Sequence, residues 1–156
     1  MSMKVLESLK DAGATYEVID CDPSFADTAE FCNHYGYSLD ESANAILLEG
    51  KAESPIYALC VVLATTRINV NKVARKRLGT RKASFASAEI TKELTGMEIG
   101  GVTPVGLPVD LPIWIDSLVM ETRKVIIGAG SRSAKIYLSP DNLLRFPNTH
   151  IVDGLS

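Results

Sequence analysis

A chain of 156 residues that is 46% hydrophobic and 22% charged, with a net charge of -3, is long enough to bury one substantial core and too apolar to stay disordered. It holds no run approaching the roughly 20 apolar residues of a membrane span, and its start lacks a signal peptide's apolar stretch, so a cytoplasmic location is expected. Cys21, Cys32 and Cys60, odd in number and without a CxxC pair, argue against a disulfide framework or zinc cage and read as small buried thiols.

Val5, Leu6 and Leu9 share one face of a first helix, with Lys4, Glu7 and Lys10 opposite and Gly13 at its stop. Thr15 to Asp20 alternates as a half-buried strand does. Asp27 and Glu30 have the spacing of a capping pair that opens a second helix to about Tyr35, closed by Gly36, and Ser38 with Glu41 repeats the signal. Ala45 to Leu48 and Ile56 to Leu63 are apolar runs bounded by turn residues and read as core strands. Asn69 is placed to cap a helix to Leu78, and Ser87 another to Leu94, with Gly79 and Gly96 behind them. Gly100, Gly101, Pro104, Gly106 and Pro108 then crowd into a loop that regular structure does not accommodate. Leu111 to Asp116, Lys124 to Ile127 and Ala134 to Leu138 follow as strands, and Ser139-Pro140 opens a last short helix. The expected architecture is a single compact α+β domain over residues 1–156, with about six or seven strands in a curled or barrel-like mixed sheet and surrounding helices.

Charge is divided along the chain. Asp11 to Gly50 contains acidic residues and no Lys or Arg, whereas Ser54 to Ala88 contains no Asp or Glu and carries Arg67, Lys72, Arg75, Lys76, Arg77, Arg81 and Lys82. The second stretch would attract a polyanion, although a cationic helix end favoured by the helix dipole accounts for part of the pattern.

Familiar catalytic constellations are missing. His34 and His150 show no ligand spacing to the cysteines. The run Gly128-Ala129-Gly130-Ser131-Arg132-Ser133 matches neither a dinucleotide fingerprint nor a nucleophile elbow, and there is no P-loop. Two glycine-rich loops remain, Gly100 to Leu107 and Gly128 to Ser133. Such loops either make tight sheet connections or bring backbone N–H groups close to a phosphate or carbonyl.

The segment Gly100-Gly101-Val102-Thr103-Pro104-Val105-Gly106 resembles the GGxxPxG loop of the YbaK and ProX family of aminoacyl-tRNA deacylases, related to the editing domain inserted in bacterial prolyl-tRNA synthetases. Thr28-Ala29-Glu30, Ile46-Leu47-Leu48, Asn69 to Gly79, Trp114 to Asp116 and the Gly128 loop match in order around it, so the resemblance spans nearly the whole chain. It implies hydrolysis of the ester joining an amino acid to the terminal adenosine of a mischarged transfer RNA. The implied partners are that acceptor end and, as a further one, an aminoacyl-tRNA synthetase. No cofactor, metal, membrane or DNA is expected.

Carried across residue by residue, the resemblance makes the backbone of Gly100, Gly101, Val102, Thr103 and Pro104 the catalytic element. Thr28, Ala45, Gly106, Gly128, Gly130, Ser131, Arg132 and Lys135 would form the substrate pocket, Arg132 as a phosphate contact. Lys72, Arg75, Lys76, Arg77, Arg81 and Lys82 would form the RNA-binding face. The chain departs from the family at Ala45, where relatives have a lysine that matters for activity, and at Lys135, where they carry a polar or acidic residue that helps set amino-acid selectivity. Lys135 either replaces the lost cation from another wall or points to solvent. A non-catalytic relative that binds transfer RNA or a protein is the competing reading, and hydrolysis of another small activated ester is a weaker one. Substitution of Gly101 by valine is expected to obstruct the ligand's approach while leaving the fold intact.

Overall fold

The computed structural model describes residues 1–156 as eight strands in two sheets with short helices between them. Helix α1 (Met3–Asp11) is capped by the Ser2 hydroxyl, which accepts the Val5 N–H, and it buries Val5 and Leu9. Strand β1 (Glu17–Asp20) leads through a 3-10 turn at Pro23–Phe25 into α2 (Thr28–Tyr35), which ends on Gly36 in the left-handed conformation. After a second 3-10 turn, β2 (Ala43–Gly50) and β3 (Ile56–Leu63) form a long antiparallel pair in which Ala45 faces Val61. A helical segment then opens with a wide π turn at Val70–Ala74, capped by the Asn69 side chain, and continues as α3 (Arg75–Leu78). Strand β4 (Ala83–Phe85) and α4 (Ala88–Thr95) precede the glycine-rich loop. Strand β5 (Ile113–Asp116), α5 (Ser117–Met120), β6 (Val125–Gly128) and β7 (Ala134–Leu138) follow. A 3-10 turn at Pro140–Arg145 and β8 (Thr149–Val152) complete the chain.

The larger sheet runs β4-β2-β3-β5-β8, with β3, β5 and β8 mutually parallel and the rest antiparallel; the smaller runs β1-β7-β6, antiparallel throughout. A single bridge, Ser42 to Ile126, ties the two together. The single curled or barrel-like sheet expected from the sequence is thus two open sheets, and the strand count is eight rather than six or seven. β1, β4 and β8 are free edges and β6 meets the larger sheet only through that bridge, so no barrel closes. The two strands missed by patterning, β4 and β8, are short edge strands that lack the apolar run by which buried strands announce themselves. Helix α5 is a four-residue turn, too short for any periodicity.

Burial explains why the long runs are legible. Leu47, Leu59, Val61, Ile113, Ile115, Ile127 and Ile136 project into one core between the sheets, together with Val5 and Leu9 from α1. Leu48, Ala58, Cys60, Val62 and Trp114 project from the opposite face of the larger sheet into a second core under α3. β2 and β3 are covered on both faces, which is why they read as continuous apolar runs instead of alternating ones. All three cysteines are buried with free thiols; burial pushes Cys60 up to about 12. No helix is long and apolar enough to cross a membrane.

Candidate functional site

A cleft of about 200 Å³ opens where the two sheets meet. Asp27 and Thr28 from the start of α2, residues 43–47 of β2, Thr91 of α4, Ile99, Gly100 and Val102 of the first glycine loop, Gly128 at the end of β6 and Lys135 of β7 form its walls. Of the residues expected in the pocket, Thr28, Ala45, Gly100, Val102, Gly128 and Lys135 line it. Gly101 and Thr103 are packed behind that wall, while Pro104 and Gly106 line a separate depression with Ser8, Asp11 and Arg145. Gly130, Ser131 and Arg132 stand behind or beside the cleft and do not line it. Sequence reasoning missed Asn44, whose Oδ1 accepts the Thr28 hydroxyl at 2.5 Å across the cleft wall. A lone polar residue inside the run Ala43 to Leu48 is the signal that would have found it.

Lys135 is the cleft's cation. Only 6% of its surface is exposed, and its Nζ donates to the Gly100 carbonyl at 2.7 Å and lies 5.7 Å from the centroid of the Phe31 ring. The pairing of β7 with β6 sets it opposite Gly128, which fixes its direction toward the interior; the alternative of a solvent-facing lysine is excluded. Desolvation holds its pKa below the ordinary lysine range, and the Arg132 charge adds to that, while Cys21, Asp27 and Cys32 pull it back up.

Arg132 is committed elsewhere. Its Nη1 donates to Asp27 Oδ1 at 3.0 Å and to the Ile99 carbonyl at 2.7 Å, and its Nε and Nη2 both donate to the Pro23 carbonyl. Four of the guanidinium's five N–H groups are therefore used inside the protein, which makes Arg132 a strap between the α2 entry and the glycine loop. Asp27, expected to cap α2 through its side chain, makes no cap bond and gives its carboxylate to Arg132.

The two glycine loops pack backbone against backbone. A Cβ built on Gly128 would lie 2.2 Å from the Val102 carbonyl oxygen, and one on Gly101 2.6 Å from that of Ser131. The Gly130 N–H donates to the Gly101 carbonyl at 2.7 Å, and the Gly101 N–H to that of Glu98 at 2.9 Å. Within the first loop the N–H groups of Gly100, Val102 and Thr103 donate to no backbone carbonyl. Gly100 and Val102 line the cleft, so two unclaimed donors stand at its wall. This overturns the expectation that Gly101→Val would leave the fold intact: the crowding atoms belong to the second loop, not to a ligand.

Lys72, Lys76, Arg77, Arg81 and Lys82 are exposed around α3 and the turn after it, with the Arg77 guanidinium 5.2 Å from the Trp114 ring. Arg75 is half-buried and donates to the Asn71 and Thr80 carbonyls, so it fastens this segment to itself. β4, which follows the segment, pairs with β2, the strand that forms one wall of the cleft.

The architecture is an α+β domain of two joined sheets with a cleft at their seam that holds a buried lysine. Comparison gives the family. The model of the aminoacyl-tRNA editing domain matches residues 22–146, and the chain belongs to that family. The uncharacterized protein YwhH of Bacillus subtilis (strain 168) is 32% identical over 130 residues, covering 83% of this chain and 80% of that one. An Enterococcus faecalis protein described as "Putative Cys-tRNA(Pro)/Cys-tRNA(Cys) deacylase EbsC" is 25% identical over 99 residues, 64% of this chain and 58% of that one. The crystal structure of the hypothetical protein APE2540 superposes with a TM-score of 0.85 at 26% identity, covering 96% of this chain and 97% of that one. One described as "a putative trans-editing enzyme for prolyl tRNA synthetase" gives 0.81 at 24% identity over 98% and 97%, a likeness of fold.

The loop packing makes a direct prediction. Gly128→Ala and Gly101→Ala each force a methyl group onto backbone atoms that cannot swing aside, so each should lower the unfolding free energy in urea by about 1–3 kcal/mol or more. Unchanged midpoints would show that the loops are not in backbone contact.

Proposed function

We propose that this chain hydrolyses the ester of mischarged aminoacyl-tRNA in trans. The single observation that carries the reading is the pair of unclaimed N–H groups of Gly100 and Val102 at the wall of a cleft in an editing-family fold. When water adds to an aminoacyl ester the carbonyl oxygen becomes an oxyanion, and preorganised backbone donors favour that charge over the neutral ester. The bond from the carbonyl carbon to the ribose oxygen then breaks, the ribose oxygen takes one of the water's protons, and the amino acid leaves as a carboxylate with the other proton released to solvent. No cysteine or histidine lines the cleft, which suits direct attack by water on an ester that is already activated. The neighbouring ribose hydroxyl helps to place that water and restricts the reaction to RNA esters.

Ala45 takes the place of the lysine found in relatives, and the cleft's positive charge comes from Lys135 on the opposite wall. The test of the whole reading is a deacylation screen of purified protein against every mischarged aminoacyl-tRNA. Hydrolysis of at least one well above the uncatalysed rate is the expected result; binding without hydrolysis would establish the non-catalytic alternative.

The exposed cations of the α3 segment take the transfer RNA body, each phosphate contact releasing counterions and steepening the salt dependence. Because Arg75 and Arg77 also make internal contacts, the cleaner variant is Lys72→Glu with Lys76→Glu and Lys82→Glu. It should weaken RNA binding and flatten its salt slope while cleavage of a minimal aminoacyl-adenosine is retained. Equal loss on both substrates, or none on either, would reduce this face to a solvated helix.

Ala45→Lys brings a second ammonium into a cleft of about 200 Å³ that already holds Lys135. Like charges at such range repel in a partly desolvated site, so deacylation should fall by about tenfold. A gain in activity would show that Lys135 does not supply the cation.

A further inference from the structure

The first glycine loop is held by its carbonyls, one donor to each of three successive peptides. Arg132 grips the Ile99 carbonyl, Lys135 the Gly100 carbonyl and the Gly130 N–H the Gly101 carbonyl. A peptide is planar, with its N–H directed opposite to its C=O, so a donor that fixes a carbonyl fixes the N–H of the next residue. Arg132 thereby sets the Gly100 N–H, and the Gly130 N–H sets that of Val102. Between these two unclaimed donors lies the Gly100–Gly101 peptide, and its orientation decides how they stand relative to one another.

That middle peptide is the one with least intrinsic reason to stay put. Glycine flanks it on both sides, and Gly100 has φ +93, a value that side-chain-bearing residues rarely adopt. Glycine visits positive and negative φ about equally well, so a peptide between two glycines flips at little steric cost. Its N–H is held by the Glu98 carbonyl at 2.9 Å, a neutral bond on an exposed residue, and its C=O by the buried Lys135 ammonium at 2.7 Å. A charge-assisted bond is roughly twice as strong as a neutral one, and here it forms where water competes least.

We propose that Lys135 is a positioning residue that locks the Gly100–Gly101 peptide, so that the Gly100 and Val102 N–H groups act as one paired cradle for the developing oxyanion. The lysine works through the loop backbone and not as an anchor for substrate phosphate. Its role as part of an esterase rests on the deacylase reading, whereas the lock itself is a property of the free protein. The groups that face its ammonium are Cys21 after β1, Asp27 and Cys32 of α2, and Arg132 of the β6–β7 loop. Asp27, the one carboxylate among them, is paired with Arg132 through Oδ1.

The experiment uses the full chain with Lys135→Met, which keeps length and burial but no donor, and Lys135→Gln, which keeps a neutral donor. On a transfer RNA ester that the parent cleaves, Lys135→Met should lose about 100-fold in kcat, the scale of one lost oxyanion donor, with KM within about threefold. Lys135→Gln should fall between it and the parent. The parent's kcat should decline as pH rises through the lowered pKa of Lys135, and that limb should be missing from Lys135→Met. In parallel, the ¹⁵N–¹H resonances of Gly100, Gly101 and Val102 in the free protein should be single in the parent and shifted or doubled in Lys135→Met. A raised KM with unchanged kcat would overturn the lock in favour of a phosphate anchor. Undisturbed loop resonances in a folded Lys135→Met protein would overturn it outright. If the parent cleaves no ester yet the loop resonances respond as expected, the lock stands and the deacylase reading falls.

Discussion

Everything at the cleft depends on the contact between two stretches of bare backbone. Residues 100–102 and 128–131 approach so closely that a single methyl group on Gly101 or Gly128 has no room, and the Gly130 N–H closes the contact with a hydrogen bond to Gly101. The glycines are therefore needed for loop-on-loop packing. Carbonyls consumed in holding the loops together leave the N–H groups of Gly100 and Val102 over.

The sheets serve this contact. β6 ends at Gly128, β7 begins after the second loop and carries Lys135, and β2 from the larger sheet forms the facing wall, with the Ser42 to Ile126 bridge where the sheets meet. The cleft is thus lined from both sheets at their seam. Polar groups gather there: Lys135 donates to Gly100, Thr28 to Asn44, and Arg132 straps Pro23, Asp27 and Ile99 together. Of these, Lys135 is buried and must be satisfied inside the protein, Thr28 and Asn44 are half-buried, and the Arg132 strap lies at the exposed rim.

The chemistry of a side chain and its location can assign it different roles. Arg132 has the right charge for a phosphate contact, yet four of its N–H groups are spent inside the protein. Asp27 has the right spacing for a helix cap, but the ion pair with Arg132 outcompetes the cap bond, as a charged partner outcompetes a neutral N–H. Arg75 belongs to the basic stretch by sequence and to the internal bracing of its own helix by geometry.

By itself the sequence determined what local physics controls. Asn69 and Ser87 cap the helices where a side-chain oxygen precedes an apolar stripe, and Gly36, Gly79 and Gly96 end them in left-handed geometry. Ile56–Leu63 and Ala134–Leu138 have the bounds their apolar runs imply, and the GGxxPxG resemblance pointed to the editing family that the comparison confirms. The number of sheets, the edge strands β4 and β8, the inward direction of Lys135 and the separation of Pro104 and Gly106 from the cleft were decided only in three dimensions. Those features depend on which strand lies beside which, and pairing partners dozens of residues apart leave no periodicity in either strand to read.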